Sequence, residues 1–240
     1  SSISIYDAST NQFKDASAKL ITPRFDHTTI ILSDNKVLIA GGSDTTGPIS
    51  SLEIYDPVSD TITSLSSSLS TPRSGHTATL LSDGRVLITG GTDSSGISLD
   101  SAEIYDPKTQ TFSLLSQKMT ISRSNHTATL LPDGRVIIIG GININNTITL
   151  LNSAVVFNPA SETFTPLLAV LKKGRFGHSA TLLPDGRILT ALGSGYDYDE
   201  DDDDDDKDTN KIKPYNNAEL YDPITDTFIK IAGKITDKRY

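Results

Sequence analysis

One motif of the form Arg-x-x-His recurs four times along this chain of 240 residues. Its copies begin at Arg24, Arg73, Arg123 and Arg175, in steps of 49, 50 and 52 residues. A step of nearly constant length is typical of a repeat protein, whose units stack because no single unit can bury its own apolar faces. The repeat therefore constrains the fold more strongly than any other feature of the sequence.

Each copy contains four short apolar runs, which we call strands A to D. A turn such as Asp83-Gly84 separates the first two runs, and Asp-Gly at this place predicts a hairpin whose two central residues both take φ > 0. The second run ends in two glycines and the third in an aromatic residue followed by Asp-Pro or Asn-Pro. The fourth begins seven residues after that aromatic. Four short strands per repeat predict the blade of a β-propeller.

The residues at these positions resemble the kelch repeat. The glycine pairs are Gly41-Gly42, Gly90-Gly91 and Gly140-Gly141, the strand C aromatics are Tyr55, Tyr105, Phe157 and Tyr221, and the strand D residues are Ile62, Phe112, Phe164 and Phe228. The sequences of these motifs are similar to those of bacterial kelch proteins and of the kelch part of galactose-oxidase-like proteins. The resemblance implies an all-β, kelch-type β-propeller of four-stranded antiparallel blades over residues 1–240. It departs from the family pattern at strand D, where Phe or Ile replaces Trp, and at Leu192, which replaces a glycine.

The repeat count predicts four full blades plus two N-terminal strands. Ser4–Asp7 and Phe13 match strands C and D of an earlier blade, and Arg239 stands where a fifth copy would begin. We therefore expect the chain to be part of a larger propeller, with a four-blade ring and an extra hairpin as the alternative. An open arc of blades would expose strand edges, through which the protein would self-associate.

Only one interval varies between the repeats. From the second glycine to the strand C aromatic it measures 13, 14, 16 and 28 residues. Because successive strands run in opposite directions, the B–C and D–A connections lie on one side of the disc, and binding residues concentrate on variable loops of rigid scaffolds. We expect a protein or glycan partner to bind this side, at Asp44, Asp93, Asn143, Asn145, Tyr196 and Tyr198.

The longest interval contains an acidic low-complexity insertion at residues 194–216 of the last blade. The ten acidic residues and single Lys between Asp197 and Asp208 account for the whole net charge of −9, and the remainder of the chain is balanced. Without a basic cluster, nucleic acid is excluded as a partner. Asp197, Asp199 and Asp201 have the spacing of Ca²⁺ ligands, although an EF-hand loop would also need Gly and Glu at later positions that are Asp here. A flexible, solvated insertion is favoured, with weak binding of Ca²⁺ or of a cationic partner as the alternative.

Catalytic chemistry finds little support in the sequence. The absence of Cys excludes disulfides and the Tyr–Cys cross-link of a galactose-oxidase-like copper site. The four His residues occupy equivalent positions in every repeat, which favours a structural role over a metal ring. We therefore expect a non-enzymatic interaction module without a resident cofactor. The alternative is the scaffold part of a galactose-oxidase-like or other secreted carbohydrate-active protein.

The apolar runs also bear on location. Val136–Ile139, one of the longest, is far shorter than the ~20 residues of a membrane-spanning helix. The similarity of the motifs to those of bacterial kelch proteins favours an extracellular or cell-envelope location.

Overall fold

The computed structural model describes residues 2–196, 211–233 and 235, and these ranges form strands and turns only. They contain no helix that is long and apolar enough to cross a membrane. The first half of the chain forms β1 (Ser2–Asp7), β2 (Gln12–Lys19), β3 (Thr28–Ile31), β4 (Val37–Ala40), β5 (Ser43–Asp44), β6 (Gly47–Pro48), β7 (Leu52–Asp56), β8 (Thr61–Ser64), β9 (Thr77–Leu80), β10 (Val86–Thr89), β11 (Ala102–Asp106) and β12 (Thr111–Leu114). The second half forms β13 (Thr127–Leu130), β14 (Val136–Ile139), β15 (Ile142–Asn145), β16 (Thr147–Leu150), β17 (Ser153–Asn158), β18 (Thr163–Val170), β19 (Ser179–Leu182), β20 (Ile188–Ala191), β21 (Ser194–Tyr196), β22 (Ile212–Pro214), β23 (Ala218–Asp222) and β24 (Thr227–Lys230).

Four antiparallel four-stranded blades are arranged as in a propeller, which confirms the predicted fold. Strands A to D are β3-β4-β7-β8 in blade 1, β9-β10-β11-β12 in blade 2, β13-β14-β17-β18 in blade 3 and β19-β20-β23-β24 in blade 4. The innermost strands of successive blades lie side by side, β3 with β9, β9 with β13 and β13 with β19.

The N-terminal residues form the predicted strand pair, since β1 and β2 make a hairpin with the same cross-strand aromatic pair, Tyr6 and Phe13, as the C–D hairpins of the blades. Strand β2 packs against β8, the outermost strand of blade 1. Asp60 of blade 1 accepts a hydrogen bond of 2.7 Å from the backbone N–H of Ser17. The hairpin is thereby joined to the outer edge of blade 1.

The core lies between blades rather than within them. Strand B of the two middle blades is covered on both faces by neighbouring blades, so all four residues of β10 and of β14 are buried. A strand of this kind needs a continuous apolar run rather than an alternating pattern. One cluster joins blades 1 and 2 through residues such as Leu38 and Ile88, and similar clusters occupy the two other interfaces.

The A–B turns differ from the predicted geometry in one respect. Gly84 has φ +89°, but Asp83 does not have a positive φ. The backbone N–H of Gly84 donates to Leu81 O at 3.0 Å, and that of Leu81 donates to Arg85 O at 2.8 Å. These bonds define a three-residue loop built on a type I turn, in which only the last residue needs positive φ. Pro132, at the first loop position of blade 3, suits this turn because its φ is fixed near −65°.

Candidate interaction face

The two sides of the disc are built differently. We call the side with the B–C loops and D–A connections the loop face; its B–C loops are residues 43–50, 92–99, 142–151 and, in the last blade, the described parts of 194–216. The opposite side, with the A–B and C–D turns, is the turn face. The assignment follows from the alternating strand directions within each blade.

The turn face is uniform from blade to blade. In blade 2 the backbone N–H of Arg85 donates to Asp83 Oδ1 at 3.0 Å, and its side chain donates to Oδ2 at 2.8 Å. The same contacts recur between Arg135 and Asp133, where the hydrogen bond from the guanidinium lowers the pKa of the carboxyl group. Their third copy joins Asp185 to Arg187. These side chains stabilise turns, and their repetition marks this side as scaffold.

The B–C loops share an anchor but differ above it. At the base of each loop, one residue forms a β-bridge to the residue that follows the repeated Arg, and the four bridges are Phe25–Ser43, Ser74–Thr92, Ser124–Ile142 and Phe176–Ser194. Above these four anchoring bridges the loops differ. Blade 1 has the two-residue strands β5 and β6, blade 2 has one further bridge within its loop, and blade 3 has the longer hairpin β15–β16. In blade 4, β21 and β22 form a short stem.

A buried ion pair supports the loop face in three of the blades. In blade 2, Arg73 Nη2 donates to Glu103 Oε1 at 2.8 Å, and both side chains are completely buried. Glu103 also accepts a hydrogen bond from the backbone N–H of Ser70, which lies in the incoming D–A connection. Equivalent pairs join Arg24 to Glu53 and Arg175 to Glu219. The carboxylate thus fixes the D–A connection to strand C.

Blade 3 lacks the carboxylate, because Val155 occupies the position of the Glu. Arg123 is buried there and donates to Gly140 O at 2.9 Å and to Ser153 O at 3.2 Å. No carboxylate pairs with it among the residues that the structure describes, and burial lowers its pKa to about 10. Acceptors from the backbone therefore hold this guanidinium in place of a counter-ion.

Three of the repeated His residues join neighbouring blades. His76 Nε2 lies 2.9 Å from Thr28 Oγ1 of the preceding blade, and His126 and His178 contact the equivalent Thr residues. Burial, and then the positive charge of Arg73, lowers the pKa of His76 to about 3. These side chains are therefore neutral contacts between blades. No group of three or more His, Asp or Glu in the described ranges could hold a metal ion.

A chain of backbone hydrogen bonds further connects the inner strands at the loop face. The residue before each His has positive φ, at Asp26, Gly75, Asn125 and Gly177. The N–H of Gly75 donates to Asp26 O at 3.3 Å, that of Asn125 to Gly75 O at 2.8 Å, and that of Gly177 to Asn125 O at 3.0 Å. The starts of the four inner strands are thus held in fixed relative positions.

Comparison with known proteins agrees with this architecture. A family model described as the KLHDC2/KLHL20/DRC7 Kelch-repeats domain matches residues 1–193. The chain belongs to this Kelch-repeat family. A solved structure titled "Structure of YjhT" is similar to it with a TM-score of 0.75 and 15% identity, covering 95% of this chain and 76% of that chain. None of the curated proteins matches the sequence significantly.

The predicted binding residues of this Kelch chain lie on the loop face where the structure describes them. Asp44 Oδ1 accepts from Thr46 N at 2.7 Å, and Asp93 Oδ1 accepts from Ser95 N at 2.8 Å, so both carboxylates also cap their own turns. The hydrogen bonds from Thr46 lower the pKa of Asp44.

The remaining predicted residues belong to blades 3 and 4. Asn143 accepts from Ser122 Oγ at 3.3 Å, and Asn145 is exposed near the tip of β15–β16. Tyr196 is half-buried at the end of β21. Tyr198 and the predicted Ca²⁺ ligands Asp197, Asp199 and Asp201 lie outside the described residues. The predicted residues that the structure describes are therefore distributed over the loops of four Kelch blades.

Two features of the Kelch loop face were not predicted from the sequence. One is a set of exposed apolar side chains at Phe25, Ile97, Ile148 and Ile212. The other is Tyr215, whose hydroxyl donates to Tyr196 O at 2.9 Å and whose ring lies 5.2 Å from the Arg175 guanidinium carbon. Tyr215 fixes the stem β21–β22 to blade 4. The alternation of apolar and polar residues from Ile142 to Leu150 is a sequence signal that would have revealed part of the first feature.

Proposed function

We propose that the chain is a non-enzymatic Kelch interaction module that binds a protein or glycan partner through its loop face. The observation that carries the proposal is the contrast between the two faces. The A–B turns of blades 2 to 4 repeat the same contacts, whereas the B–C loops differ in length and in secondary structure. A surface that varies on a fixed scaffold is where partner specificity is expected.

The buried polar contacts at the bases of the B–C loops support the same proposal. Buried Arg–Glu pairs, His–Thr contacts and the backbone hydrogen bonds around Gly75 hold the bases of the loops in place. A preorganised surface binds with a smaller loss of conformational entropy than a flexible one. The buried polar groups therefore stabilise a platform for binding.

The test compares two variants that carry the same number of substitutions on opposite faces. The loop-face variant combines Asp44→Asn, Asn143→Ala and Tyr196→Ala, and the turn-face variant combines Val58→Ala, Lys108→Ala and Ile224→Ala. Both are measured with the parent chain on a glycan array and against a displayed library of random peptides. Ligands that bind the parent should be lost from the loop-face variant and kept by the turn-face variant.

Thermal unfolding of each variant serves as the control for folding. Ligands that survive the loop-face substitutions but are lost on the turn-face substitutions would place the binding surface on the other side and refute the proposal. Binding to glycans alone, or to peptides alone, would decide the class of partner.

A further inference from the structure

Blade 3 differs from the other blades at one buried polar contact. In blades 1, 2 and 4, a Glu carboxylate joins the repeated Arg to the D–A connection. In blade 3, Val155 takes the place of the Glu, and a Val side chain ends before the carbon that carries the carboxylate oxygens. The Arg itself is kept, since Arg123 is 2% exposed. Blade 3 therefore has the donors of this contact without its acceptor.

The first of these donors is Arg123 Nη2. The same nitrogen of Arg73 donates to Glu103 Oε1 at 2.8 Å and to Ser101 Oγ at 3.2 Å. In blade 3 only the second of these bonds is kept among the described residues, from Arg123 Nη2 to Ser153 Oγ at 3.3 Å. Because each Nη atom carries two hydrogens, one N–H of Arg123 is left to bind an acceptor where blade 2 has the Glu.

The second donor is the backbone N–H of Thr120. In each of the other blades the residue three places before the Arg donates its N–H to the Glu carboxylate, and these residues are Ile21, Ser70 and Lys172. The backbone follows the same course at Thr120, because the N–H of Met119 donates to Asp100 O at 2.9 Å, as that of Leu69 does to Ser50 O at 3.0 Å. No protein acceptor for the Thr120 N–H lies in the part of the chain that the structure describes.

The charges around the two donors favour an anion. Burial lowers the pKa of Arg123 only to about 10, so its guanidinium is positively charged at neutral pH. His126, whose pKa burial lowers well below 6.5, is neutral there. Lys118, in the same D–A connection, forms an ion pair with Asp100 at 3.1 Å, and the pair adds no net charge. A buried cation is normally paired with a counter-ion, which Arg123 lacks within the described residues.

We propose that Arg123 and Thr120 bind a small monovalent carboxylate from solution, such as formate or acetate, in the place that a Glu side chain fills in the other three blades. One carboxylate oxygen accepts from Arg123 Nη2 and the other from the Thr120 N–H, which reproduces the two contacts of Glu103. A hydrogen bond between charged groups is about twice as strong as a neutral one.

The site lies at the D–A connection, where Thr120 is exposed to solvent. Backbone oxygens already accept from Arg123 without the ion, so binding adds stability to a blade that is formed in its absence. The site is separate from the proposed function, because it lies below the B–C loops and takes a small ion rather than a partner.

The first measurement uses the parent chain and sodium formate in a buffer free of chloride. Sodium gluconate, whose anion is too bulky for the site, keeps the ionic strength constant. At ten times the Kd of formate, linkage shifts the folding equilibrium about tenfold, which should raise Tm by about 3–6 °C with a saturable dependence on concentration. Saturation-transfer NMR should show magnetisation passing from the protein to formate. Without such transfer, or with the same rise of Tm in gluconate alone, formate does not bind and the inference is overturned.

Two variants locate the bound ion. Val155→Glu places a carboxylate of the chain itself beside Arg123, and it should abolish both the rise of Tm and the transfer to formate. Glu103→Val gives blade 2 the residues of blade 3, because Arg73 keeps Gly90 O and Ser101 as acceptors. This variant should unfold at a lower temperature than the parent in gluconate, but its Tm should rise about twice as much with formate. A response to formate that is equal in the parent and in the variants that fold would place the ion elsewhere and overturn the assignment to Arg123.

Discussion

Arg123 and its three equivalents show how one buried residue type can be satisfied in two ways. Arg73 has Glu103 as a counter-ion, whereas the acceptors of Arg123 among the described residues are carbonyl and hydroxyl oxygens. The loss of the carboxylate at Val155 could be seen in the sequence, but its importance could not, because the repeat alone does not reveal which residue faces the Arg. The sequence favoured a structural role for the His of each repeat, but the groups that the repeated Arg and His contact could be identified only from the structure.

At the same scale, Glu103→Gln should lower the free energy of unfolding by about 3 kcal/mol. The substitution keeps the side-chain shape but leaves the buried charge of Arg73 without its counter-ion, and removal of one partner from a buried pair costs about 3–5 kcal/mol. The lower end applies because Arg73 retains Gly90 O as an acceptor. Urea denaturation measures the change. A loss below 1 kcal/mol would show that the acceptors alone suffice, as they do in blade 3.

The reverse substitution, Val155→Glu, tests the same argument from the other side. It would supply Arg123 with a carboxylate and the neighbouring D–A connection with an acceptor. We expect the free energy of unfolding to change by less than about 1 kcal/mol, because the new ion pair offsets the desolvation of the added carboxylate. The same substitution at Ile104, a buried position without an Arg partner, is the control and should cost several kcal/mol. Equal losses at the two positions would contradict the pairing.

Among the structural elements, strands were easier to predict than loops. The B strands are continuous apolar runs between two turn signals, so their place followed from the sequence. The hairpin β15–β16 has a tip without glycine, at Asn146 with φ +59°, and the sequence predicted only a variable B–C loop there. The turn at Gly84 was predicted in place but not in type, since Asp-Gly occurs in both two- and three-residue loops.

The glycine pairs at the end of strand B give a prediction for one element junction. A Cβ atom at Gly90 would lie within 2.3 Å of Arg123 O, and its φ is +60°. Gly90→Ala should therefore cost about 3 kcal/mol or more, from the left-handed backbone and from the clash with a backbone oxygen. Gly96→Ala is the matched control, because Gly96 has φ +77° but open space around it. It should cost about 1–2 kcal/mol. If thermal unfolding shows the same loss of stability for both substitutions, the clash with Arg123 O does not contribute.

The stem β21–β22 gives a second prediction at this scale. Replacing residues 197–211 by Asn-Gly should leave the fold intact, because Tyr196 pairs with Ile212 and Tyr215 holds the stem to blade 4. Loop closure depends only weakly on length, so the stem does not need the acidic insertion. Calorimetric titration of the parent chain with Ca²⁺ should give at most millimolar affinity. Micromolar affinity, or unfolding of the shortened chain, would make the insertion a structural metal site.

For the whole molecule, stability depends on contacts between blades that recur at each interface. The sequence predicted these units correctly because Arg, His, glycine pair and aromatic keep fixed spacings, and fixed spacings imply the same packing in every blade. The proposed partner surface could not be predicted in the same way. It is assigned to the segments that do not repeat, where the sequence shows which side chains are present but not which of them are exposed together.

The buried His residues make one prediction for the molecule as a whole, namely that it loses stability in mild acid. Burial, followed by the charge of Arg73 or Arg175, lowers the pKa of His76 and of His178 to about 3. Burial also lowers the pKa of His126 well below the ordinary 6.5. Below pH 6.5 the unfolded chain therefore binds protons that the folded chain does not, and the free energy of unfolding falls by up to about 1.4 kcal/mol per pH unit for each His.

The stability that depends on these neutral His residues is fully present above pH 6.5 and decreases as the pH falls. The decrease levels off near pH 3, where the folded protein also takes up the protons. His178→Gln should lower the free energy of unfolding at pH 8, because it weakens the contact with Thr127. Between pH 6.5 and 4.5, however, the free energy of unfolding of the variant should fall less steeply with pH, by about 1.4 kcal/mol per pH unit. Urea denaturation at half-unit steps of pH measures both effects. The control Ser179→Gln, at an exposed position, should show the same dependence of the free energy of unfolding on pH as the parent chain. A slope that is the same in His178→Gln and in the parent would mean that this His is already protonated in the folded protein, and the neutral contact between blades would then be wrong.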